Sequence, residues 1–162
     1  MLTGALSVLE RGIDSTTVDL LCFDIGKERF AVELSFVDEV IDAAVLDAHA
    51  VHGSMIGVIR LRDDLIPVHD AECVLYVARK SPEPMALVFT AHGAPMAMLV
   101  DYAEAALAID MDALRSPGAV VARDSVMLGA LKVGSRWVGL LDAESLVDAF
   151  GKVALSEESH AH

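Results

Sequence analysis

Residues 57–70 carry the side-chain arrangement in this chain that is best suited to molecular recognition. Two short apolar runs flank a charged turn, Arg62-Asp63-Asp64, and the first run alternates between apolar and polar positions as a half-buried strand does. Because aspartate favours turns and Pro67 suits an edge strand, the pattern predicts a β-hairpin. Such a hairpin would hold Arg62 at a surface corner, where a guanidinium on a rigid strand is a good recognition group.

The sequence contains no motif typical of a catalytic centre. A nucleophile elbow, a phosphate-binding loop and a dinucleotide-binding glycine motif are all missing. His49 and His52 lie near Asp47, but a metal site there would need further ligands that the sequence does not mark. We therefore predict a protein that is not an enzyme and holds no metal or cofactor. The alternative is a small ligand- or metal-binding enzyme that uses this histidine region.

Composition restricts the class of partner. The net charge of −13 argues against binding to nucleic acid or to an anionic membrane, and it favours a partner with a basic patch. No apolar run reaches the ~18–20 residues that cross a bilayer, and the N-terminus lacks the pattern of a signal peptide. Cys22 and Cys73 both lie in apolar patterns, which predicts buried free thiols in a cytoplasmic protein.

Short strands must position the recognition hairpin. Apolar runs separated by turn residues predict roughly nine or ten strands in successive hairpins, a spacing typical of small barrels. Gly134-Ser135 suits a hairpin turn, and Asp142 is placed to cap a helix that ends just before Gly151. The fold class predicted is mostly β, with short helices that include one near the C-terminus.

The predicted domain organisation is simple. Residues 1–17 form a flexible leader, residues 18–155 a single domain, and the polar residues 156–162 a disordered tail. Two prolines close together at 81–84 interrupt any regular element, so we place a change of subdomain there.

The order of these patterns resembles the CheW-like coupling proteins of bacterial chemotaxis. The family signature, Gly-Val-x-Asn-Leu-Arg-Gly followed by Pro-Val/Ile-x-Asp, is matched at Gly57, Val58, Leu61, Arg62, Pro67 and Asp70. Weaker matches lie at residues 23–32, 37–41, 99–101 and 128–142. Two positions depart from the pattern, because Arg60 replaces the usual asparagine and Asp63 the usual glycine.

The resemblance implies a fold of two small five-stranded SH3-like barrels packed together. It also implies a cytoplasmic, non-catalytic scaffold without a cofactor, which couples the cytoplasmic tip of a chemoreceptor to the regulatory domain of a CheA-type histidine kinase. An adaptor of a type IV pilus (twitching) or other chemosensory pathway, with altered receptor binding, is the alternative within the family. A divergent member that binds the kinase without the receptor is a third possibility.

The resemblance further suggests a binding site. The family's receptor-facing glutamate and arginine fall on Glu39 and Arg62, and we expect these two side chains to lie close together as an ion pair or a shared polar patch. Val37, Val58 and Ile59 are predicted to line the same groove, with plain core positions as the alternative for these aliphatic residues.

The two departures bear on that site. Asp63 in place of glycine removes tolerance of a positive φ at the turn, and its carboxylate could capture the guanidinium of Arg62. Arg60 adds a positive charge where an amide is usual. Receptor binding that is altered, weakened or redirected is the expected consequence.

Overall fold

The computed structural model of the chain describes residues 17–42, 46–47, 55–115 and 126–160. Their strands are β1 (Thr17–Ile25), β2 (Glu28–Glu33), β3 (Val37–Asp42), β4 (Leu46–Asp47), β5 (Met55–Leu61), β6 (Asp64–His69), β7 (Met85–Ala91), β8 (Ala94–Val100), β9 (Tyr102–Asp110), β10 (Met127–Val133) and β11 (Arg136–Leu141). The helices are α1 (Glu72–Leu75) and α2 (Ala143–His160), and short 3-10 helices lie at Leu34–Phe36 and Met111–Ala113.

The strands form two sheets. The first sheet has the order β10-β11-β2-β1-β9, and the second has the order β3-β7-β8-β6-β5-β4, in which β4 contributes only two residues. Four hairpins supply most of the antiparallel pairing, and the pairs β11–β2 and β6–β8 are parallel. The predicted mostly-β fold with two five-stranded units and a C-terminal helix is therefore confirmed, with β4 as a short addition.

The two sheets repeat one arrangement. In each, a hairpin followed by a helix (β10–β11–α2 or β5–β6–α1) pairs in parallel with the second strand of another hairpin. The sequence carries a trace of this repeat, because Asp-Ala-Glu opens both helical segments, at Asp70-Ala71-Glu72 and at Asp142-Ala143-Glu144. The strands that precede these helices carry the same trace, because Gly57 and Arg60 correspond in position to Gly129 and Lys132.

The inner strands are buried on both faces. In β1, Leu20 and Cys22 pack into a cluster on the first sheet, whereas Leu21 and Phe23 point to the opposite face and join a larger cluster between the sheets. β7 behaves in the same way in the second sheet. Since alternate residues of a strand point to opposite faces, two-sided burial requires a nearly continuous apolar run, which explains the weak alternation of these segments.

The largest cluster joins both sheets to the C-terminal helix. Phe23, Phe30, Phe89 and Phe150 are all completely or almost completely buried in it. A fully buried side chain of this size contributes about 1.5–3 kcal/mol relative to an exposed one. This central layer therefore holds the two sheets in a fixed relation, so that side chains on either sheet are held on one rigid unit.

His69 is a buried polar residue in this layer. It lies at the end of β6 with 8% of its surface exposed, and its ring stacks on Phe150 of α2 with centroids 4.8 Å apart. Burial disfavours the charged imidazolium and lowers the pKa of His69 to about 4. The histidine is therefore neutral at pH 7 and packs as an aromatic ring between the second sheet and the helix.

The domain boundaries need three corrections. The prolines at 81–84 do lie outside helices and strands, but β6 before them and β8 after them are paired in one sheet, so this segment is not a boundary between the two units. The chain instead passes to the second sheet at Leu34–Phe36 and returns to the first at Asp101.

The helix α2 also runs through Gly151 to His160, which includes most of the tail predicted to be disordered. Regular structure begins at Thr17, and the rest of the predicted leader lies outside the described residues.

Both cysteines are free thiols. Cys22 is buried as predicted, whereas Cys73 is partly exposed and contacts the carbonyl oxygen of Asp70 at 3.3 Å. Burial is the main reason that the pKa of the Cys22 thiol is raised above its ordinary value. Neither thiol belongs to a group of three or more metal-ligating side chains among the described residues.

Candidate functional site

The β5–β6 hairpin holds Arg62 at its tip. Leu61 and Asp64 pair across the strands, which leaves Arg62 and Asp63 as the two turn residues. The positive φ of this turn, 57°, falls on Arg62 and not on Asp63. The left-handed region costs a non-glycine residue about 1–2 kcal/mol, so the hairpin pairing must hold Arg62 in a strained conformation. The expectation that Asp63 would meet this strain is therefore wrong.

Glu39 meets Arg62 from a different part of the sheet. It lies on β3, at the far side of the second sheet from β5, and its carboxylate Oε2 accepts a hydrogen bond from Nη2 of Arg62 at 3.3 Å. The side chain of Arg62 is 76% exposed and that of Glu39 is 29% exposed. The predicted proximity of Glu39 and Arg62 is confirmed. The guanidinium of Arg62 bonds the carboxylate of Glu39 and not that of Asp63.

An open groove lies beside this ion pair. Its volume is about 460 Å³, and we call it the Arg62 groove. It is lined by Val37, Asp38, Leu61, Arg62, Asp64, Ile66, Val88, Thr90 and Pro95. Aliphatic side chains form the lower part, whereas the charged groups lie at the rim. The arrangement gives an apolar floor, two carboxylates and one guanidinium, which suits binding of an amphipathic segment.

A second polar contact fixes the same end of the sheet. The hydroxyl of Thr90 on β7 donates a hydrogen bond to Oδ2 of Asp38 on β3 at 2.5 Å. The register shifts between Val37 and Glu39, and this β-bulge changes which face of β3 the following residues present. The bulge therefore helps to bring Asp38 and Glu39 to the groove from neighbouring positions of one strand.

The corresponding corner of the first sheet carries a paired arginine. There the guanidinium of Arg29 bonds both Asp24, at 2.9 Å, and Glu104, and only 7% of the arginine side chain is exposed. Pro95 takes the corresponding place after β7 in the second sheet, and it has no charged side chain. The two corners therefore differ in the charged groups that they present.

The predicted site residues separate into three groups. Val37, Glu39 and Arg62 come together at the groove. Val58 is partly exposed on the opposite face of β5 from Ile59 and does not line the groove. Ile59 has no exposed surface and packs in the apolar cluster of the second sheet, so its assignment to a binding surface is wrong.

Sequence reasoning missed several groove residues. Leu61, Ile66 and Val88 line the floor, and Asp38 and Thr90 form the polar contact across β3 and β7. Alternation in β6 could have indicated that Ile66 shares a face with Asp64. The pairing of β3 with β7 could not have been found in this way, because the two strands are far apart in the sequence.

A metal site finds no support in the part of the chain that the structure describes, where no group of three or more ligating side chains occurs. The predicted alternative at His49 and His52 lies outside the described residues. No described helix is long and apolar enough to span a membrane.

Comparisons with known proteins agree with the described geometry. The family model of the CheW-like domain matches residues 19–150. A comparison with the curated proteins gave no match. Among solved structures, the scaffolding protein TtCheW from Thermoanaerobacter tengcongensis is similar, with a TM-score of 0.69 and 18% sequence identity over 80% of this chain and 92% of that chain. At this identity, the structural likeness supports the fold alone.

Proposed function

The chain belongs to the CheW-like domain family, and from that premise we propose that it is a non-catalytic cytoplasmic adaptor, which couples chemoreceptors to a CheA-type histidine kinase. The observation that carries the proposal is the Glu39–Arg62 ion pair beside an open apolar groove. A family of scaffolding domains supplies the class of function, and the groove supplies a place where one partner binds.

The receptor tip is the partner that fits the Arg62 groove. A chemoreceptor tip is a helical hairpin, and an amphipathic helix binds by laying apolar side chains into a groove of this kind. Val37 and Leu61 present partly exposed aliphatic surface for those side chains, whereas Ile66 and Val88 are almost completely buried. Asp38, Asp64 and Arg62 at the rim would set the orientation of the helix through its polar side chains.

The ion pair matters for recognition more than for stability. An exposed pair contributes about 0–1 kcal/mol to folding, since water screens it. Glu39 holds the long side chain of Arg62 over the groove, so less side-chain entropy is lost when a partner binds. When a helix covers the pair, water leaves and each charge makes a stronger contact.

The kinase regulatory domain is the second proposed partner. The family resemblance implies that this domain shares the CheW-like fold and that the two domains pair through the ends of their barrels. The proposal needs no membrane insertion.

The departures from the family pattern favour a second candidate within the class. Arg60 is exposed on β5 and Asp63 is exposed in the turn next to Arg62. A receptor tip that matches this charge pattern would differ from the usual one. An adaptor of a type IV pilus or other chemosensory pathway therefore remains the alternative assignment.

Binding measurements with purified fragments test the proposal. We expect micromolar binding to a CheA regulatory domain and to a receptor-tip fragment by isothermal titration calorimetry. Arg62→Ala and Glu39→Ala should each weaken receptor binding by about tenfold or more, the cost of losing about 1.4 kcal/mol. Lys132→Ala is the matched control, because it removes an exposed cation from the corresponding strand of the first sheet, outside the groove. Equal losses in all three variants, or no binding to either fragment, would contradict the proposal.

A further inference from the structure

A second surface, on the first sheet, has features that the adaptor function does not use. Two adjoining concavities of about 440 and 660 Å³ share Lys27 and Arg136 in their walls. Trp137 borders one of them with 59% of its surface exposed, and Tyr102 borders the other with 47% exposed. We call this surface the Trp137 strip and define it by Lys27, Lys80, Tyr102, Arg136 and Trp137.

The carboxylates at the Trp137 strip are already bonded. Asp24 accepts hydrogen bonds from Arg29 at 2.9 Å and from Arg136 at 3.3 Å. Asp101 accepts the backbone N–H groups of Gly26, at 2.6 Å, and of residues 80 and 81, at 2.8–3.1 Å. The carboxylate oxygens of Asp24 and Asp101 are therefore already hydrogen-bonded, and these bonds hold the two loops that form the concavities.

The cationic side chains at the strip, in contrast, are available to bind a partner. Lys27 and Lys80 are exposed and take part in no ion pair among the described residues. Arg136 is half exposed, and it has donors beyond the one that bonds Asp24. The charged side chains that line the two concavities are four cations and three anions, on a chain whose net charge is −13. Because the side chain of Arg29 is only 7% exposed and is bonded to Asp24 and Glu104, the cations that face solvent on the strip are Lys27, Lys80 and Arg136.

We propose that the Trp137 strip docks an acidic peptide segment of a partner protein, in which carboxylates flank an apolar side chain. The carboxylates would pair with Lys27, Lys80 and Arg136, and the apolar side chain would pack on Trp137, since tryptophan and arginine dominate the energy of protein interfaces. Nucleic acid and anionic membranes fit less well, because the remaining surface repels extended arrays of phosphate.

The strip is separate from the Arg62 groove. The two surfaces share no residue and lie on different sheets. The inference therefore does not rest on receptor binding at the groove, and a failure of one leaves the other standing.

The chain's one tryptophan gives a direct test. Trp137 fluorescence is measured in the full chain while a short synthetic peptide is added, in which glutamates flank one leucine and no aromatic residue is present. We expect a saturable change in emission and a dissociation constant below about 1 mM. Raising the salt from about 0.1 M to about 1 M should weaken binding strongly, because the Debye length falls from about 10 Å to about 3 Å.

Charge-reversal variants separate the strip from general electrostatics. Lys27→Glu and Lys80→Glu should each weaken binding by about tenfold, and a peptide with lysines in place of the glutamates should not bind. Arg60→Glu is the matched control, since it makes the same change in net charge on the second sheet and should reduce affinity much less. A thermal unfolding curve for each variant verifies that it folds.

Three results would overturn the inference. No saturable signal at about 1 mM peptide, by fluorescence and by calorimetry, would show that the strip docks no such segment. Equal weakening by Arg60→Glu and Lys27→Glu would show long-range attraction in place of a site. Equal binding of the lysine peptide would show that the carboxylates are not recognised.

Discussion

Acidification should destabilise this protein through His69. The histidine is buried against Phe150, and burial holds its pKa at about 4 compared with 6.5 for a free histidine. At pH values between these two pKa values, the imidazole of His69 is protonated in the unfolded chain but neutral in the folded chain. The free energy of unfolding therefore rises with pH across this window. The part of it that His69 contributes is lost as the pH falls from about 6.5 toward 4.

The magnitude follows from the two pKa values. Each tenfold ratio between the proton affinities of the folded and unfolded states is worth about 1.36 kcal/mol, so the full effect is about 3 kcal/mol. Above pH 6.5 the contribution of His69 is complete and constant. A small domain has only about 5–15 kcal/mol of total stability, so a loss of this size is large.

The assay is chemical denaturation at a series of pH values between 4 and 7.5, for the wild type and for His69→Gln. The comparison between the two proteins removes the contributions of the carboxylates and of other histidines. One of these, His92, lies 3.4 Å from Glu144 and 3.3 Å from Asp148 of α2, and these contacts are the same in both proteins. We expect the wild type to lose about 3 kcal/mol more than the variant on acidification.

Two results would refute this reasoning. If the wild type and His69→Gln showed the same dependence of stability on pH, the buried ring would not be the group that titrates. If a proton NMR titration of the folded protein placed the pKa of His69 near 6.5, the site would be hydrated and the packing against Phe150 would be wrong.

Three further predictions concern the site and the core. Ile59→Ala should lower the free energy of unfolding by about 2–5 kcal/mol in denaturation experiments because it opens a cavity, whereas the same change at the partly exposed Val58 should cost clearly less. Arg62→Gly should leave the stability within about 1 kcal/mol of wild type, because relief of left-handed strain offsets the lost ion pair; the same variant should bind a receptor-tip fragment more weakly. In the folded protein a thiol reagent should label Cys73 well before Cys22, since the latter is buried and its pKa is raised; equal labelling rates by mass spectrometry would contradict this.

Much of the fold follows from local patterns in the sequence. Hairpins are local, and turn residues such as Gly134 between two apolar runs define where each strand ends. The overall pairing of the sheets is not local, because β3 and β7 are separated by three other strands of the chain, β4, β5 and β6, that pair elsewhere. The prolines at 81–84 therefore predict a boundary from the sequence alone, whereas in the structure this segment connects two strands of one sheet.

The candidate site was predictable where it depended on the family resemblance. The family's receptor-facing positions place Glu39 and Arg62 together, and the structure joins them at 3.3 Å. Ile59 lies on the apolar face of the alternating strand, and the structure agrees with the core position that is the alternative for it. The helix continues through Gly151, and a glycine costs a helix interior only about 1 kcal/mol.

An adaptor must hold both partners at the same time, and analytical ultracentrifugation of a three-component mixture tests this claim directly. We predict that this protein, a CheA regulatory domain and a receptor-tip fragment sediment as one ternary complex. With Arg62→Ala the receptor fragment should be lost while the kinase complex remains, and Lys132→Ala should leave the ternary complex intact. Failure to bind the kinase domain, or displacement of the kinase by the receptor fragment, would contradict the adaptor function.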